Sequence, residues 1–429
     1  MNYHEAHAWL DQRQQFTIKL GLETTRDLLA ELGNPQQRLS IIHIAGTNGK
    51  GSVGATLLAV LSAAGYRTGF FSSPHLSEVR ERFRLNDTFI SRDDFARLIT
   101  KLATVLQGQA FPTYFECATL LALLWFAEQQ AEAVILETGM GGRLDATNVV
   151  TPLLSIITDI SRDHEQYLGA TIEAIAGEKA GIIKPGIPVV FSGRLPEALP
   201  VIEARCMQTG SPLFMFGRHF SGTRRSDQGF DYHTLSGEVR SGLPLQLHGE
   251  HQVVNASLAA AALELLAPTF PHVSQRLVSG LQQVRWPGRM EHIQIDRSGK
   301  TLHFLLDGAH NEAGVEALVR TLHRQSPRRL LLLWGNMADK SMGPAYADLV
   351  ALADKIVLTR IASPRSALPA DLFARLPEPV QRKTTCAESV EHGLAMVQQH
   401  AAPEDLICVA GSLYLIGRVR QLLMGELVA

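Results

Sequence analysis

The chain has 429 residues, more than the roughly 250 to 300 at which a single core stops growing, so two domains are expected. Apolar residues make up 45% and charged ones 19%, and a formal net charge of −2 without acidic or basic blocks excludes a disordered chain and a nucleic-acid scaffold. No apolar run approaches the roughly 20 residues of a membrane helix, and the opening MNYHEAHAWLDQRQQ lacks a signal-peptide core, which points to a cytoplasmic protein without a membrane partner.

His4 and His7 stand at helical spacing but no third ligand accompanies them, so they read as solvated helix positions. SIIHIAG reads as a buried strand, GSVGATLLAVLSAAG repeats apolar residues at helical spacing, and RTGFFSS returns as a strand, together a right-handed βαβ unit. FECATLLALLWFAEQQ continues as a helix, followed by the strands AVILETG and LLSIITD. The segment from PLFMFG to LHGEH alternates in short pieces with many turn residues, like a small antiparallel excursion, and QVVNASLAAAALELLA follows as a helix. After VRWPGRMEH the rhythm restarts with the strands TLHFLLDGA, RLLLLWG, DKIVLT and LICVAGS. The fold class is therefore α/β: a phosphate-loop, doubly wound, mostly parallel sheet domain over residues 1–290, then a smaller Rossmann-like α/β domain over 297–429, with the junction near 285–297.

The glycines around Lys50 end a strand and open a helix. Such a turn leaves backbone N–H groups pointing into a hollow at the positive end of the helix dipole, an anion cradle. Lys50 would meet the outer phosphates of a nucleotide, Gly49 and Gly51 let the backbone approach it, and Ser52 adds a hydroxyl. The match to G-x-x-x-x-G-K-[ST] is imperfect, because Ile44 stands where the first glycine belongs and Gly51 separates lysine from hydroxyl.

Glu137 ends an apolar strand, which puts its carboxylate at the carboxyl edge of the sheet beside that loop; taken alone it could equally be a turn partner. On residues alone, His164 reads as a surface or capping histidine and Lys179 as an exposed helix lysine. Cys117, Cys206, Cys386 and Cys408 lie far apart without a C-x-x-C pair and read as buried small hydrophobes.

The blocks AGTNGKGS, SSPHL, TYFE, ETGMGGRLDATN, DHEQYLG, EKAGIIKPG, HQVVNA, WPGRME, DGAHN and GSLYLIG stand in an order that resembles the folylpolyglutamate synthase family. That family includes the bifunctional dihydrofolate synthase/folylpolyglutamate synthases and belongs to the ATP-dependent Mur ligases. The resemblance implies ATP-dependent addition of L-glutamate to dihydropteroate and to the tail of reduced folates through an acyl phosphate. It implies ATP contacts from Asn48, Gly49, Lys50, Gly51, Ser52, Asn255, Arg289, Asp307 and His310, and magnesium, two ions, held by Ser73, Glu137 and His164. Lys50, His164 and Lys179 then carry catalysis, the last as a carbamate, while Thr17, Leu20, Thr113, Tyr114, Phe115, Glu116, Leu144, Asp145 and Ala146 take the pterin or folate. Phe115 could also simply pack under the following helix, and Glu312 replaces the usual proline after DGAHN, which puts the local turn in question. The expected partners are small molecules acting on a monomer. Polyglutamylation alone is one alternative. A Mur-type cell-wall ligase finds little room for a nucleotide-binding domain before the loop, and a GTPase-type switch lacks its N-K-x-D motif.

Overall fold

A computed structural model describes residues 1–13, 21–106, 112–227, 229–297, 299–340 and 342–425. The first sheet contains β1 (Ile41–Ala45), β2 (Thr68–Phe71), β3 (Phe83–Leu85), β4 (Thr88–Phe89), β5 (Ala133–Glu137), β6 (Leu154–Ile157), β7 (Val189–Phe191) and β8 (Leu213–Met215). Its order is β4-β3-β2-β5-β1-β6-β7-β8, parallel from β2 to β8 and antiparallel at the β3–β4 edge. Thus β1 and β2 do form a crossover unit, but β5 lies between them.

Period-two alternation explains why this sheet needs cover on both sides. Ile42, Ile44, Phe70 and Ile135 face one core, which contains the helices Lys50–Ala63 and His251–Leu266. Ile41, Phe71, Val134 and Leu136 face the other, against the helix Tyr114–Glu128.

The expected antiparallel excursion is smaller than its sequence suggested. LFM of β8 extends the main sheet in parallel, and only β9 (Ser221–Arg224), β10 (Phe230–His233) and β11 (Val239–Leu243) form the separate antiparallel sheet. β12 (Glu291–Arg297), β13 (Lys300–Leu306), β14 (Leu330–Trp334), β15 (Lys355–Thr359), β16 (Thr384–Ala387) and β17 (Leu406–Ala410) make the last sheet, in the order β12-β13-β17-β14-β15-β16. Only β12 runs antiparallel there, and its strand begins at Glu291, inside the segment read as a junction. Its alternation repeats the first sheet's: Leu330, Leu332 and Trp334 face one core, Leu331 and Leu333 the other.

Three of the four cysteines are buried, but Cys386 is exposed, because β16 is the edge strand of its sheet. Among the described residues no helix is long and apolar enough to cross a membrane. Glu312 takes the first position of the helix Glu312–Gln325, capped by Asn311, and its Oε1 accepts the Ala345 N–H at 2.7 Å, so the glutamate secures this turn instead of disturbing it.

Candidate active site between the two sheets

The adjacent strands β5, β1 and β6 all end at one edge, and chain connections leave that edge in opposite directions, the place where open α/β sheets bind ligands. From β1 the chain passes Gly46 to Gly49 and enters the helix Lys50–Ala63. Gly49 has φ 89°, and a Cβ there would lie 2.6 Å from Asn255 Oδ1, so geometry and space both demand glycine. Gly49→Ala is accordingly expected to raise the ATP KM by roughly tenfold or more, since left-handed strain costs about 1 kcal/mol before the clash is added. A nucleotide titration of the folded variant checks this.

Lys50 folds back over the loop: its Nζ donates to the Gly46 carbonyl at 3.0 Å and the Thr47 carbonyl at 3.2 Å, and lies 4.0 Å from Glu137 Oε1. Glu137 is only 4% exposed, and burial pushes its carboxyl up to about 7 despite the opposing pull of Lys50, the Ser73 N–H and Arg289. The Ser73 N–H donates to Glu137 Oε2 at 3.4 Å. Ser52 is placed beneath the loop, its hydroxyl accepting from Gln252 Nε2 at 3.3 Å; Gln252 in turn accepts from Asn255 Nδ2 at 2.9 Å.

From β6 the chain leads to Asp163 and His164, the latter in a left-handed conformation with its ring partly exposed. Asp163 is where the two sheets meet. It accepts from Lys340 Nζ at 2.5 Å and Asn311 Nδ2 at 3.1 Å, with the His310 and His164 rings each 3.9 Å away. Burial would raise its pKa, but the Lys340 ammonium in direct contact outweighs it and holds the carboxyl well below the usual carboxylate range. Asn311 also exchanges amide hydrogen bonds with Asn48 of the loop, at 3.2 and 3.4 Å. His310 Nδ1 lies 2.7 Å from the Gly308 carbonyl, and burial, aided by Lys340, lowers its pKa to about 4, so the ring is neutral. Asp307 accepts backbone N–H groups from Met290 and Ala309, both at 2.9 Å, which ties the Arg289 turn to β13. A cavity of about 720 Å³ opens beside the first turn of the helix His251–Leu266, lined by Arg194, His251 and Val254 and, from the helix Glu312–Gln325, by Arg320 and Arg324.

Lys179 is not the exposed helix lysine that its own residues suggested. It is 2% exposed on the helix Ile172–Ala180, and burial, with Lys50 nearby, lowers its pKa to about 7. Among the described residues no group of three or more His, Cys, Asp or Glu side chains is placed to hold a metal ion. Ser73, Glu137 and His164 include only two such side chains, a donor set that fits magnesium only if phosphate and water oxygens complete the shell, which is how this cation usually binds. A neutral, buried Lys179 is also the form of amine able to add carbon dioxide.

The candidate pterin residues divide. Phe115 is half-buried, its ring 5.7 Å from that of Phe71, and it lies so close over Gly139 that a Cβ there would approach within 2.6 Å of Cζ. It therefore covers the turn after Glu137 and does more than fill its own helix's core. Thr113 and Glu116 cap that helix reciprocally, at 3.2 and 2.7 Å, and Tyr114 is buried. Asp145 is buried with both oxygens engaged, Oδ2 by the Gly139 and Met140 N–H groups and Oδ1 by Thr147. Leu144 is half-buried and Ala146 buried beside it, while Thr17 and Leu20 lie outside the described residues. Lys340 was missed: it sits in a loop without a motif of its own, and only folding brings its ammonium to Asp163.

Residues 44–263 match the model of the Mur ligase middle domain, and residues 288–413 that of the Mur ligase glutamate ligase domain. A dihydrofolate synthase/folylpolyglutamate synthase of Bacillus subtilis is 35% identical over 437 aligned positions, covering 98% of each chain. Among solved structures, Mycobacterium tuberculosis folylpolyglutamate synthase complexed with ADP superimposes with a TM-score of 0.88 at 31% identity, covering 99% of this chain and 98% of that one. E. coli FolC in complex with DHPP and ADP gives 0.86 at 29% identity, covering 98% and 97%.

Proposed function

Because this chain belongs to the dihydrofolate synthase/folylpolyglutamate synthase family of the Mur ligases, we propose that its site makes dihydrofolate from dihydropteroate and also extends the glutamate tail of reduced folates. The underlying activity is ATP-dependent ligation of glutamate in folate metabolism. The observation that carries the reading is the Lys50–Glu137 pair under a glycine loop, at a sheet edge that the second unit reaches through Asn311 and Lys340.

A carboxylate does not react unaided with an amine, so it first takes the γ-phosphoryl of ATP, releasing ADP; the amino group of glutamate then attacks the acyl phosphate, expels inorganic phosphate and leaves the amide. In this scheme the loop amides and Lys50 hold the outer phosphates, Asn48 and Ser52 shape the cradle, and Arg289 offers a permanently charged fork to phosphate. Asn255 with the neighbouring cavity takes the adenine, and Asp307 and His310 border the ribose. Ser73, Glu137 and His164 would hold magnesium, which when bound neutralises phosphate charge; a carbamate on Lys179 would add an oxygen donor or orient His164. Phe115 offers a flat face to the pterin, Leu144, Asp145 and Ala146 frame the turn beneath it, and Thr113, Tyr114 and Glu116 fix the helix that carries it. We read residues 1–290 and 297–429 as the two closing bodies, their contact excluding water from the acyl phosphate, and the enzyme as a cytoplasmic monomer.

Purified protein given ATP, magnesium and labelled glutamate should form product with dihydropteroate and with a reduced folate. Product with a muramyl nucleotide alone would overturn the reading, and product with reduced folate alone would restrict it to polyglutamylation.

A further inference from the structure

Two arginines sit in the short helical turn Val79–Arg82, and the chain treats them differently. Arg80, 3% exposed, is matched bidentately by Glu78 at 2.6 and 2.8 Å. Arg82 is 6% exposed and, among the described residues, has no carboxylate within 4.0 Å. Its Nε donates to His75 Nδ1 at 2.9 Å and its guanidinium carbon lies 5.3 Å from the centre of the Tyr114 ring. Burial raises the pKa of the Tyr114 hydroxyl, and the Arg82 guanidinium beside it pulls the other way. The Arg82 carbonyl accepts from the Ser72 N–H at 3.1 Å, which fixes the residue to the turn that presents Ser73, and its charge is among those that bear on Glu137.

Burying a cation without a carboxylate in direct contact is costly, and a fold that pairs one arginine fully while leaving its near neighbour without such a contact keeps the second for an anion it does not itself supply. The place is bounded by phosphate-side groups, Ser73 and Glu137, and by the helix that carries Phe115. An organic acid lying along that interval would bring its carboxylate to the Arg82 fork. We propose that Arg82 binds a carboxylate of the acceptor acid and so selects acidic acceptors and aligns them for phosphoryl transfer; this rests on the reading of the site as one that activates an organic acid. Its planar fork suits a carboxylate, and the bond from Nε to His75 holds the fork in one orientation.

The test uses the full chain with ADP present and two binding probes: dihydropteroate, and the same pterin carrying aniline in place of the aminobenzoate. Arg82→Gln is expected to weaken dihydropteroate by roughly 10- to 100-fold while leaving the carboxyl-free probe and the ATP KM within about twofold. Arg82→Lys should recover part of the loss, and it keeps the test open if the glutamine variant does not fold. Equal weakening of both probes would make Arg82 a shaper of the pocket and overturn the proposal, as would unchanged affinity for dihydropteroate. A wild-type protein that binds neither probe would refute the folate reading itself, a result distinguishable from failure of the Arg82 assignment.

Discussion

Lys50→Ala is expected to remove at least about a thousandfold from turnover with every acceptor, because a preorganised charge facing transferring phosphate is worth roughly 10²–10³ and here it has a second effect. Lys50 is the strongest influence holding down the pKa of Glu137, which already stands at about 7. Without the ammonium the buried carboxyl moves higher, so a cation must displace its proton and is held more weakly. The two effects separate with pH. Raising the pH should restore ionised Glu137 and part of the nucleotide affinity, but not turnover. Thermal unfolding should hardly change, since Lys50 contacts loop carbonyls and supports no core. Turnover within tenfold of wild type would show that this loop does not hold the triphosphate.

Lys179→Met should act in opposite directions on activity and stability. In the unfolded chain the lysine keeps its proton up to its ordinary 10.5, whereas in the fold burial brings it to about 7. Between those values the unfolded state binds more protons, so stability rises with pH; below about 7 the full penalty of a buried charge applies. Methionine fills similar volume and does not titrate. In carbon-dioxide-free buffer the variant should therefore melt above wild type at pH 6, by several degrees, with the gap closing towards pH 10. Turnover should fall by roughly 10²-fold or more, and added bicarbonate should not rescue it. A variant that melts lower at pH 6, or turns over normally, would show that the buried amine is neither the burden nor the working group inferred here.

Local signals accounted for much of the architecture. Strands such as IIHIA and AVILE are apolar without interruption because helices cover both faces of the sheet, and that pattern needs no tertiary knowledge to read. The hairpin Phe83–Phe89 and the edge strand Thr384–Ala387 escaped because edge strands are short and polar enough to resemble turns. LFM was misplaced for a related reason: three residues show no period, so only their parallel partner, β7, identifies them.

Within the site, Lys50 and Glu137 were legible because a strand end and a glycine turn constrain them locally. The strands ending at Ala45 and Glu137, the glycine loop between strand and helix, and the carboxylate at the sheet edge were readable from the chain itself, since each depends on residues a few positions apart. Only the folded arrangement shows that Lys179 is buried, that Asp163 joins Lys340 and Asn311 across the two sheets, that Asp145 turns inward, and that Arg82 is buried against His75. Burial and charge pairing are sums over neighbours far apart in the chain, and a side chain's chemistry follows those neighbours more closely than its own place in a motif.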